Sequence, residues 1–499
     1  MKRIILFSLT FLFVAANGFA FGSGSFGKGR VRFMAPPPPL CTATVTNTLD
    51  GPAGSLRAAI NFANVNPGTD TICFNISGPG VHTIITFSQL PPFTDPVIVD
   101  GYTQPGWAAN TSTSGNNAVN LIVVQRAAGP SFQTGFQLVP GSSGSTIRGL
   151  VINNFQGAQI FISSSSGNVI AGNYIGTNAT GTAGFSGGGG GVRITGGTGN
   201  IIGGTSPSDA NLISGNGVAG ANVTGSPGIY LDGGTDLSTN TCTSPAASIT
   251  GTVIKGNLIG TDRTGTAVIG NATGIFMSCG VSQNIVGGTT AAERNVISGN
   301  KTSNFGQFGQ GVLIALGSHD NVVQGNYIGT NVTGTGALPN GSLGVSIGYG
   351  APNTGAPNNI IGGLAQGAGN VISGNISSGV QMVNGATGNR VQGNLIGTNA
   401  AGTAAVPNGQ NGFAAVFIRG NNNTVGGALP AARNIISGNG GIGLRMGGGS
   451  AGNTVQGNYI GTDITGSIAI GDVHRGVMLG GASNNTSRGT SSLEMMEPA

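Results

Sequence analysis

A seven-residue pattern that recurs five times constrains the fold of this chain more than any other feature. The copies read GNYIGTN, GNLIGTD, GNLIGTN or GNYIGTD, and they begin at Gly172, Gly256, Gly325, Gly393 and Gly457. A second pattern, such as NIIGG followed by NVISGN, lies between consecutive copies. Its four copies begin at Asn200, Asn284, Asn359 and Asn423. Because the two patterns alternate strictly, the repeating unit is a pair of unlike coils.

Each coil is opened by a short strand signal. Segments such as GVRIT from Gly191, GIFMS from Gly274 and GVSIG from Gly344 alternate apolar with other residues. Such strands are too short for a β-sandwich, and no helical segment separates them as a βαβ crossover requires. The chain must therefore turn repeatedly and stack on itself. This predicts an all-β solenoid, the right-handed parallel β-helix.

The second residue after GN is isoleucine in all five copies. These residues are Ile175, Ile259, Ile328, Ile396 and Ile460. Two positions before the same GN the residue is always Ile or Val, whereas three positions before it the residue varies and includes Arg390 and Thr454. Since side chains alternate across a strand, we predict that the unvarying set lines the interior. Stacked coils would then form apolar ladders with a spacing of about 4.8 Å.

The Asn of each GN pair is predicted to occupy a corner. Sharp bends between strands need positive φ, which Gly permits and Asn tolerates best among other residues. Stacked Asn side chains also hydrogen-bond along a ladder. The residues are Asn173, Asn257, Asn326, Asn394 and Asn458. Because every copy has one, we interpret them as structural and not as ligands.

The N-terminus has the layout of a secretory signal peptide. A basic pair precedes an apolar run from Ile4 to Ala16, and small residues end at Ala20. The run is short for a membrane span, and no later stretch is long and apolar enough to be one. We therefore expect residues 1–20 to be a signal peptide and residues 21–40 a Gly- and Pro-rich linker. The mature chain is expected to be secreted or held at the cell surface.

The charge distribution and the cysteines indicate which ligands and cross-links to expect. The formal charge of +5 includes two residues of the signal segment, and the other basic residues are scattered singly, so nucleic-acid binding is not expected. In an oxidising compartment the four cysteines are expected to form disulfides. Proximity in sequence favours pairing Cys41 with Cys73 and Cys242 with Cys279, but the sequence alone does not fix the pairing. The alternative is that the cysteines are buried thiols. No closely spaced Cys pair predicts a metal site.

The domain boundaries follow from where the repeat begins and ends. Residues 41–145 are expected to form an N-terminal cap and the first coils, residues 146–480 the repeats, and residues 481–499 an aperiodic tail. Within the cap, Ser55–Ala63 has helical periodicity, with Ser55 at the N-cap position. A solenoid needs its open end covered, so we interpret this amphipathic helix as a cap.

Four N-terminal segments carry a family resemblance. They read GSLRAAI from Gly54, NPGTDTICF from Asn66, PVIVDGYTQPG from Pro96 and STIRGLVINNF from Ser145. Together with the repeats, they resemble bacterial extracellular right-handed parallel β-helix repeat proteins with a CSLREA-type N-terminal region, over nearly all of residues 44–480. The Cys and Glu of that motif are replaced here, so chemistry attached to them does not transfer. The resemblance implies a pectate-lyase-like β-helix, export and surface display.

Acidic residues are scarce, so the sequence does not favour a polysaccharide-cleaving enzyme. Glycosidic hydrolysis uses paired carboxylates, and lyases use carboxylates with a basic residue. The weak catalytic candidates are Asp232, Asp236 and Lys255, which adjacent coils would have to bring to one face. We more readily interpret the two acids as loop residues and the lysine as solvated. Asp262 and Asp463 replace the Asn after IGT and are interpreted as structural.

The other polar residues form no recognisable site. His82, His319 and His474 lie far apart in the repeat register, and Glu293 with Arg294 is an irregular pair. The regular Asp of calcium-binding β-roll repeats is missing. We therefore predict no cofactor and no metal.

Three functions remain open. The leading hypothesis is a monomeric, secreted or cell-surface solenoid that adheres to a polysaccharide or to a host or neighbouring cell without catalysis. The alternatives are a polysaccharide lyase or glycoside hydrolase, and a structural protein of an envelope layer. Spacing is most irregular between Ala219 and Thr250, around Cys242, so this flank is the best sequence-based candidate for specific binding.

Overall fold

The fold was obtained as a computed structural model. It describes residues 40–129, 132–185, 187–217, 226–236, 239, 241–243, 248–301, 309–348, 355–383, 385–409, 412–472 and 474–492. The predicted signal peptide, and the predicted linker up to residue 39, lie outside this part of the chain. None of the helices in it has the length and apolar character needed to cross a bilayer.

Three long sheets form the body of the protein, and all their strand pairings are parallel. Sheet 1 has 14 strands, sheet 2 has 13 and sheet 3 has 11. In the repeat region the chain passes from sheet 1 to sheet 2 to sheet 3 and then begins the next coil. The prediction of an all-β, right-handed parallel β-helix is confirmed.

The strands are short throughout, as the punctuated sequence predicts. Sheet 1 contains Ala43–Val45, Asp70–Phe74, Val97–Asp100, Thr146–Arg148, Val169–Ala171, Ile201–Gly203, Val253–Lys255, Ile285–Gly287, Val322–Gln324, Ile360–Gly362, Arg390–Gln392, Thr424–Gly426, Thr454–Gln456 and Thr486–Arg488. Sheet 2 contains His82–Thr86, Ile122–Arg126, Leu150–Asn153, Tyr174–Ile175, Leu212–Ile213, Leu258–Ile259, Val296–Ile297, Tyr327–Ile328, Val371–Ile372, Leu395–Ile396, Ile435–Ile436, Tyr459–Ile460 and Ser491–Ser492. Sheet 3 contains Phe136–Leu138, Ile160–Ser163, Val192–Thr195, Ile229–Asp232, Ile275–Ser278, Val312–Ile314, Val345–Ile347, Val380–Met382, Val416–Ile418, Leu444–Met446 and Val477–Leu479. Two further pairs are Gly197–Thr198 with Ile249–Thr250, which is parallel, and Thr235–Asp236 with Thr241–Cys242, which is antiparallel.

The core is a column of stacked aliphatic side chains. The repeat isoleucines are fully buried in a single hydrophobic cluster. In sheet 2, Ile175 pairs with Ile213, which pairs with Ile259, so the isoleucines of the two unlike coils alternate in one ladder. Burying an aliphatic side chain contributes about 1.5–3 kcal/mol relative to exposing it. Each buried member of this ladder therefore stabilises the fold.

The GN corners differ in one respect from the expectation. At the corner between sheets 1 and 2 the Gly takes the left-handed conformation, with φ 71° at Gly256, whereas Asn257 does not. The Asn side chain is turned inward and is almost fully buried. The five GN asparagines alternate with those of the second pattern in one hydrogen-bonded ladder. Its members are Asn173, Asn211, Asn257, Asn295, Asn326, Asn370, Asn394, Asn434 and Asn458.

One α-helix, Leu56–Val65, packs on the first strands of sheet 1. Ser55 is its N-cap, and the Ser55 side chain accepts a hydrogen bond from the Ala58 amide at 3.2 Å. The buried residues are Leu56, Ala59, Ile60 and Ala63, so one helix face lies in the core. Short 3-10 helices lie at Gly101–Thr103, Pro207–Asp209, Ala291–Glu293 and Pro430–Ala432.

The predicted boundary at residue 480 is placed too early. Thr486–Arg488 pairs with Thr454–Gln456, and Ser491–Ser492 pairs with Tyr459–Ile460, so stacking continues past it. The sequence signal fades because Ser487 takes the register position that Val455 holds in the coil before.

Candidate functional site

The three weak catalytic candidates do not form one cluster. Asp232 ends a strand of sheet 3, whereas Lys255 ends a strand of sheet 1, so a corner of the solenoid separates them. Adjacent coils therefore do not bring these three residues to one face. Asp236 lies in the short antiparallel pair that follows Asp232, and it has an interaction partner there.

Asp232 is fully engaged in structural contacts. Its Oδ2 accepts hydrogen bonds from Arg193 Nε at 3.1 Å and Nη2 at 2.5 Å. Its Oδ1 accepts from the amides of Gly234 at 3.0 Å and Thr235 at 2.8 Å. Burial raises the pKa of the neighbouring Tyr230 above its usual range, and Asp232 adds to this effect. A tyrosine that holds its proton so firmly is poorly suited to act as a base.

Lys255 and Glu293 also have structural partners. Lys255 Nζ lies 3.5 Å from Glu293 Oε1. Glu293 closes a capping box at the 3-10 helix Ala291–Glu293, where it accepts hydrogen bonds from Thr290 and Thr289. Desolvation raises the pKa of Glu293, but these hydrogen bonds outweigh it and hold the pKa below its ordinary value. The carboxylate is thus an ionised helix cap.

The outer face of sheet 2 is closed by loops. Each IGTN or IGTD copy continues into a loop that folds back over this sheet, and successive loops are joined by backbone hydrogen bonds such as Arg263 N to Gly181 O at 2.9 Å. Asp262 and Asp463 accept backbone hydrogen bonds within their own loops. Beneath these loops lies a buried apolar cluster that includes Tyr174, Leu212 and Leu258. Sheet 2 therefore offers no open binding face along these loops.

Sheet 3 carries the most varied outward side chains. Register aligns one outward residue per strand into a row along the stack, here called the outer row. Its members are Gln137, Phe161, Arg193, Tyr230, Phe276, Leu313, Ser346, Gln381, Phe417, Arg445 and Met478. The row combines aromatic rings, guanidinium groups and amides on a rigid sheet.

The middle of the outer row is covered. Tyr230, Phe276 and Leu313 are buried in a cluster with Cys279 and Leu316. The rings of Tyr230 and Phe276 stack with centroids 4.9 Å apart. Cys279 is bonded to Cys242, at a Cα–Cα distance of 5.4 Å, which ties the antiparallel pair onto this cluster. The irregular region around Cys242 thus covers sheet 3, and the other disulfide joins Cys41 to Cys73.

A groove lies on the C-terminal half of sheet 3. It has a volume of about 450 Å³ and runs from the corner between sheets 2 and 3 onto the outer row. The lining residues are Ser342, Leu343, Ser377, Ser378, Gln381, Gly412, Phe413, Ala414, Phe417 and Arg445. Phe413 is 50% exposed, and the Arg445 guanidinium lies 5.6 Å from the Phe417 ring centroid. The groove offers two aromatic faces, an amide, hydroxyls and a cation.

A second groove, of about 330 Å³, lies at the corner between sheets 1 and 2. Its lining includes Ser112, Thr205 and Arg294. The Arg294 guanidinium lies 4.2 Å from the Tyr327 ring centroid, and its Nε donates to the Gly325 carbonyl at 3.3 Å. Because the one cation of this groove is already engaged, the groove on sheet 3 is the better candidate site.

No group of side chains that would hold a metal ion occurs within the described residues. His82 lies in a strand of sheet 2, and His319 lies beside Asp320, with Nδ1 2.7 Å from Oδ2. His474 is exposed near Gly412, at one end of the groove on sheet 3. The three histidines are thus not brought together.

Known proteins resemble this chain only weakly, so its chemistry has to be argued from the site itself. Neither a protein-family model nor a curated protein sequence matches the chain. Among solved structures, the A-module of mannuronan C-5 epimerase AlgE6 from Azotobacter vinelandii is 14% identical, covers 91% of this chain and 100% of its own, and has a TM-score of 0.48. The periplasmic alginate epimerase AlgG is 11% identical, and the match covers 86% of this chain and 79% of the epimerase, with a TM-score of 0.39. The Agl-KA catalytic domain is 12% identical, and the match covers 91% of this chain and 68% of that domain, also with a TM-score of 0.39. The CSLREA-type resemblance stays a prediction.

Proposed function

We propose that this chain is an exported β-helix protein that binds a polysaccharide chain in the groove on sheet 3 and does not cleave it. The observation that carries the proposal is the lining of that groove. Phe413 is half exposed and Phe417 is partly exposed, and Gln381 and Arg445 present directional hydrogen-bond donors beside them. Ligand sites of this kind combine apolar walls with a few placed polar groups.

The dimensions of the groove favour an extended ligand. Outer-row residues on neighbouring coils are about 4.8 Å apart, so Gln381, Phe417 and Arg445 span about 10 Å across three coils. That length is comparable to two linked sugar rings. The residues stand on paired strands, which hold their spacing fixed before a ligand arrives.

The same lining argues for binding without cleavage. Hydrolysis and elimination both need a positioned acid or base, usually a carboxylate, histidine, lysine or tyrosine. The described lining includes none of these four types, and His474, beside Gly412 at one end of the groove, has no second group of these types in that lining. Phenylalanine, glutamine, serine and arginine bind and orient, but arginine keeps its proton at any physiological pH.

Export is supported by two independent features. The N-terminus has the layout of a secretory signal peptide. All four cysteines are paired in disulfides, which persist in oxidising compartments and are rare in a reducing cytosol. A secreted or surface-held chain would meet polysaccharide directly.

The substitution Phe417→Ala tests the groove. It removes an aromatic face and is expected to weaken polysaccharide binding at least tenfold, or about 1.4 kcal/mol. Binding is measured by calorimetry with the full chain against neutral and acidic glycans. Phe161→Ala is the matched control, because Phe161 occupies the outer row outside the groove and should leave affinity unchanged.

Three outcomes would contradict the proposal. If Phe161→Ala weakens binding as much as Phe417→Ala, the groove is not the site. Release of reducing or unsaturated ends from the glycans would show an enzyme. Failure to bind any glycan, together with ordered self-assembly, would favour the envelope-layer role.

A further inference from the structure

We propose that the polysaccharide bound in the groove is a polyuronate, whose sugar carboxylate pairs with Arg445 in the open space beside Gly480. This inference rests on the proposed function and adds the chemical class of the ligand. It comes from a three-residue arrangement that the outer row contains twice.

The repeated arrangement is Gln, Phe and Arg on three successive coils. Gln137 pairs with Phe161, which pairs with Arg193. Gln381 likewise pairs with Phe417, which pairs with Arg445. In each copy the guanidinium lies over the preceding phenylalanine, at 5.9 Å in the first and 5.6 Å in the second. The two copies therefore match in residue type, order and contact.

The first copy already contains a carboxylate. Arg193 pairs with Asp232, which stands two residues beyond its own register partner, Tyr230. Two guanidinium nitrogens donate to this carboxylate, and such charge-assisted bonds are among the stronger ones in proteins. Asp232 is almost completely buried, so the first copy is closed by the chain itself.

The second copy lacks that carboxylate. Met478 is the register partner of Arg445, so the position that corresponds to Asp232 is Gly480. A Cβ built on Gly480 meets only the Met446 carbonyl oxygen, at 3.5 Å, so the space beside it is open. Within the described residues Arg445 has no carboxylate partner, and its side chain is exposed. The second copy is thus the same arrangement with its anion position vacant.

The surrounding charge favours an anionic ligand. No acidic residue occurs in the sequence between Asp320 and Asp463, whereas that stretch holds four arginines. One of them, Arg419, follows Phe417 by two positions and is also exposed. A Cβ on Gly447 would lie 2.9 Å from Arg419 Cγ, so Arg419 extends along the same open space. Two cations attract an anion more strongly than either alone.

A carboxylate is the anion to which the first copy points. In the first copy the guanidinium over Phe161 donates hydrogen bonds from Nε and Nη2 to the carboxylate of Asp232. In a uronic acid the carboxylate is attached to the ring, so one sugar unit can place its ring against Phe417 and its carboxylate against Arg445. A neutral glycan satisfies only the first contact.

The substitution Gly480→Asp tests the inference by supplying the missing carboxylate from the chain. It should pair with Arg445 as Asp232 pairs with Arg193, and so compete with the ligand. We expect at least tenfold weaker binding of polygalacturonate, polymannuronate or polyglucuronate, whichever the native chain binds best. The matched control Gly480→Asn fills the same space without the charge and should weaken binding clearly less than Gly480→Asp does. Unchanged thermal melting of both variants shows that they fold.

The ligand itself provides the second arm. The methyl ester of the same polyuronate should bind the native chain at least tenfold more weakly than the free acid, and Arg445→Gln should remove that preference. Equal affinity for ester and acid, or equal effects of Gly480→Asp and Gly480→Asn, would overturn the inference. If the ester binds as well as the acid and Phe417→Ala still weakens it, the proposed function stands and only the uronate assignment fails. If no polysaccharide binds, both fail.

Discussion

Replacing Asn326 by Ala is expected to lower the free energy of unfolding by about 4 kcal/mol, because it interrupts the corner ladder at its centre. Asn326 Nδ2 lies 3.0 Å from Asn370 Oδ1 in the next coil and 2.9 Å from each of two backbone carbonyl oxygens. Its Oδ1 accepts from the side chain and the amide of Asn295, at 2.9 and 3.3 Å. These atoms are fully buried, so water cannot replace the lost partners.

The magnitude follows from counting the groups left unpaired. Each buried polar group without a partner costs about 1–3 kcal/mol, and hydrogen-bonded chains lose more than the sum of isolated pairs. Gln324→Ala is the matched control, since Gln324 lies in the same coil but faces outward, and it should change stability by less than about 0.5 kcal/mol. Denaturant unfolding measures both. If the two substitutions lowered the free energy of unfolding equally, the hydrogen bonds of the ladder would not stabilise the fold.

The interior of this fold is readable from the sequence because stacking makes it periodic. Ile175, Ile259 and Ile328 recur at matching places since every coil meets the same neighbours above and below. The cap helix is equally local, because Ser55 and the apolar spacing after it suffice to start it. The cysteines that the structure pairs lie close in the sequence, 32 and 37 residues apart.

The groove could not be predicted in the same way, because the residues of the outer row change from one coil to the next. Gln381, Phe417 and Arg445 are separated by unequal lengths of chain, and only the strand register brings them into line. The described lining of the groove also contains no acidic residue, so a pattern of paired acids in the sequence does not indicate it. The available signal was the second residue of each sheet 3 strand, read against the absence of acidic residues between Asp320 and Asp463.

Closeness in sequence does not place residues on one face of this fold, for the converse reason. Asp232 and Lys255 are close in the chain, but a corner of the solenoid lies between them and their side chains belong to different sheets. In a solenoid, residues share a face when they share a register position, whatever the distance between them in sequence.

A second ladder leads to the other large prediction, which concerns pH. At the corner between sheets 2 and 3 the ladder runs through Asn375, Asn408 and Asn439 and ends on Asp472. Asp472 Oδ1 accepts from the amide of Asn439 at 2.9 Å and from its side chain at 3.0 Å. Oδ2 stands where an asparagine would have its NH₂ group, and among the described residues it is buried without a hydrogen-bond partner. Burial raises the pKa of Asp472 to about 7, although the two bonds from Asn439 oppose this effect.

The sign of the pH dependence follows from that shift. The folded chain holds a proton on Asp472 up to about pH 7, whereas the unfolded chain releases it near pH 3.8. Between these values the folded state binds more protons, so the C-terminal coils lose stability as the pH rises and reach a lower plateau above pH 7. A difference of about three pKa units corresponds to about 4 kcal/mol.

Asp472→Asn should remove this dependence, because an amide restores the donor that the other ladder members have and carries no charge. The variant should match the native chain at pH 4 and exceed its opening free energy by up to about 4 kcal/mol at pH 8, as measured by hydrogen exchange of the C-terminal coils. Asp463→Asn is the matched control, since Asp463 lies in a loop on the same coil and has a lowered pKa, and it should give no such gain at pH 8. A native chain whose C-terminal protection stays constant from pH 4 to pH 8 would show that Asp472 ionises freely in the folded state, and the ladder would then end on an ordinary carboxylate.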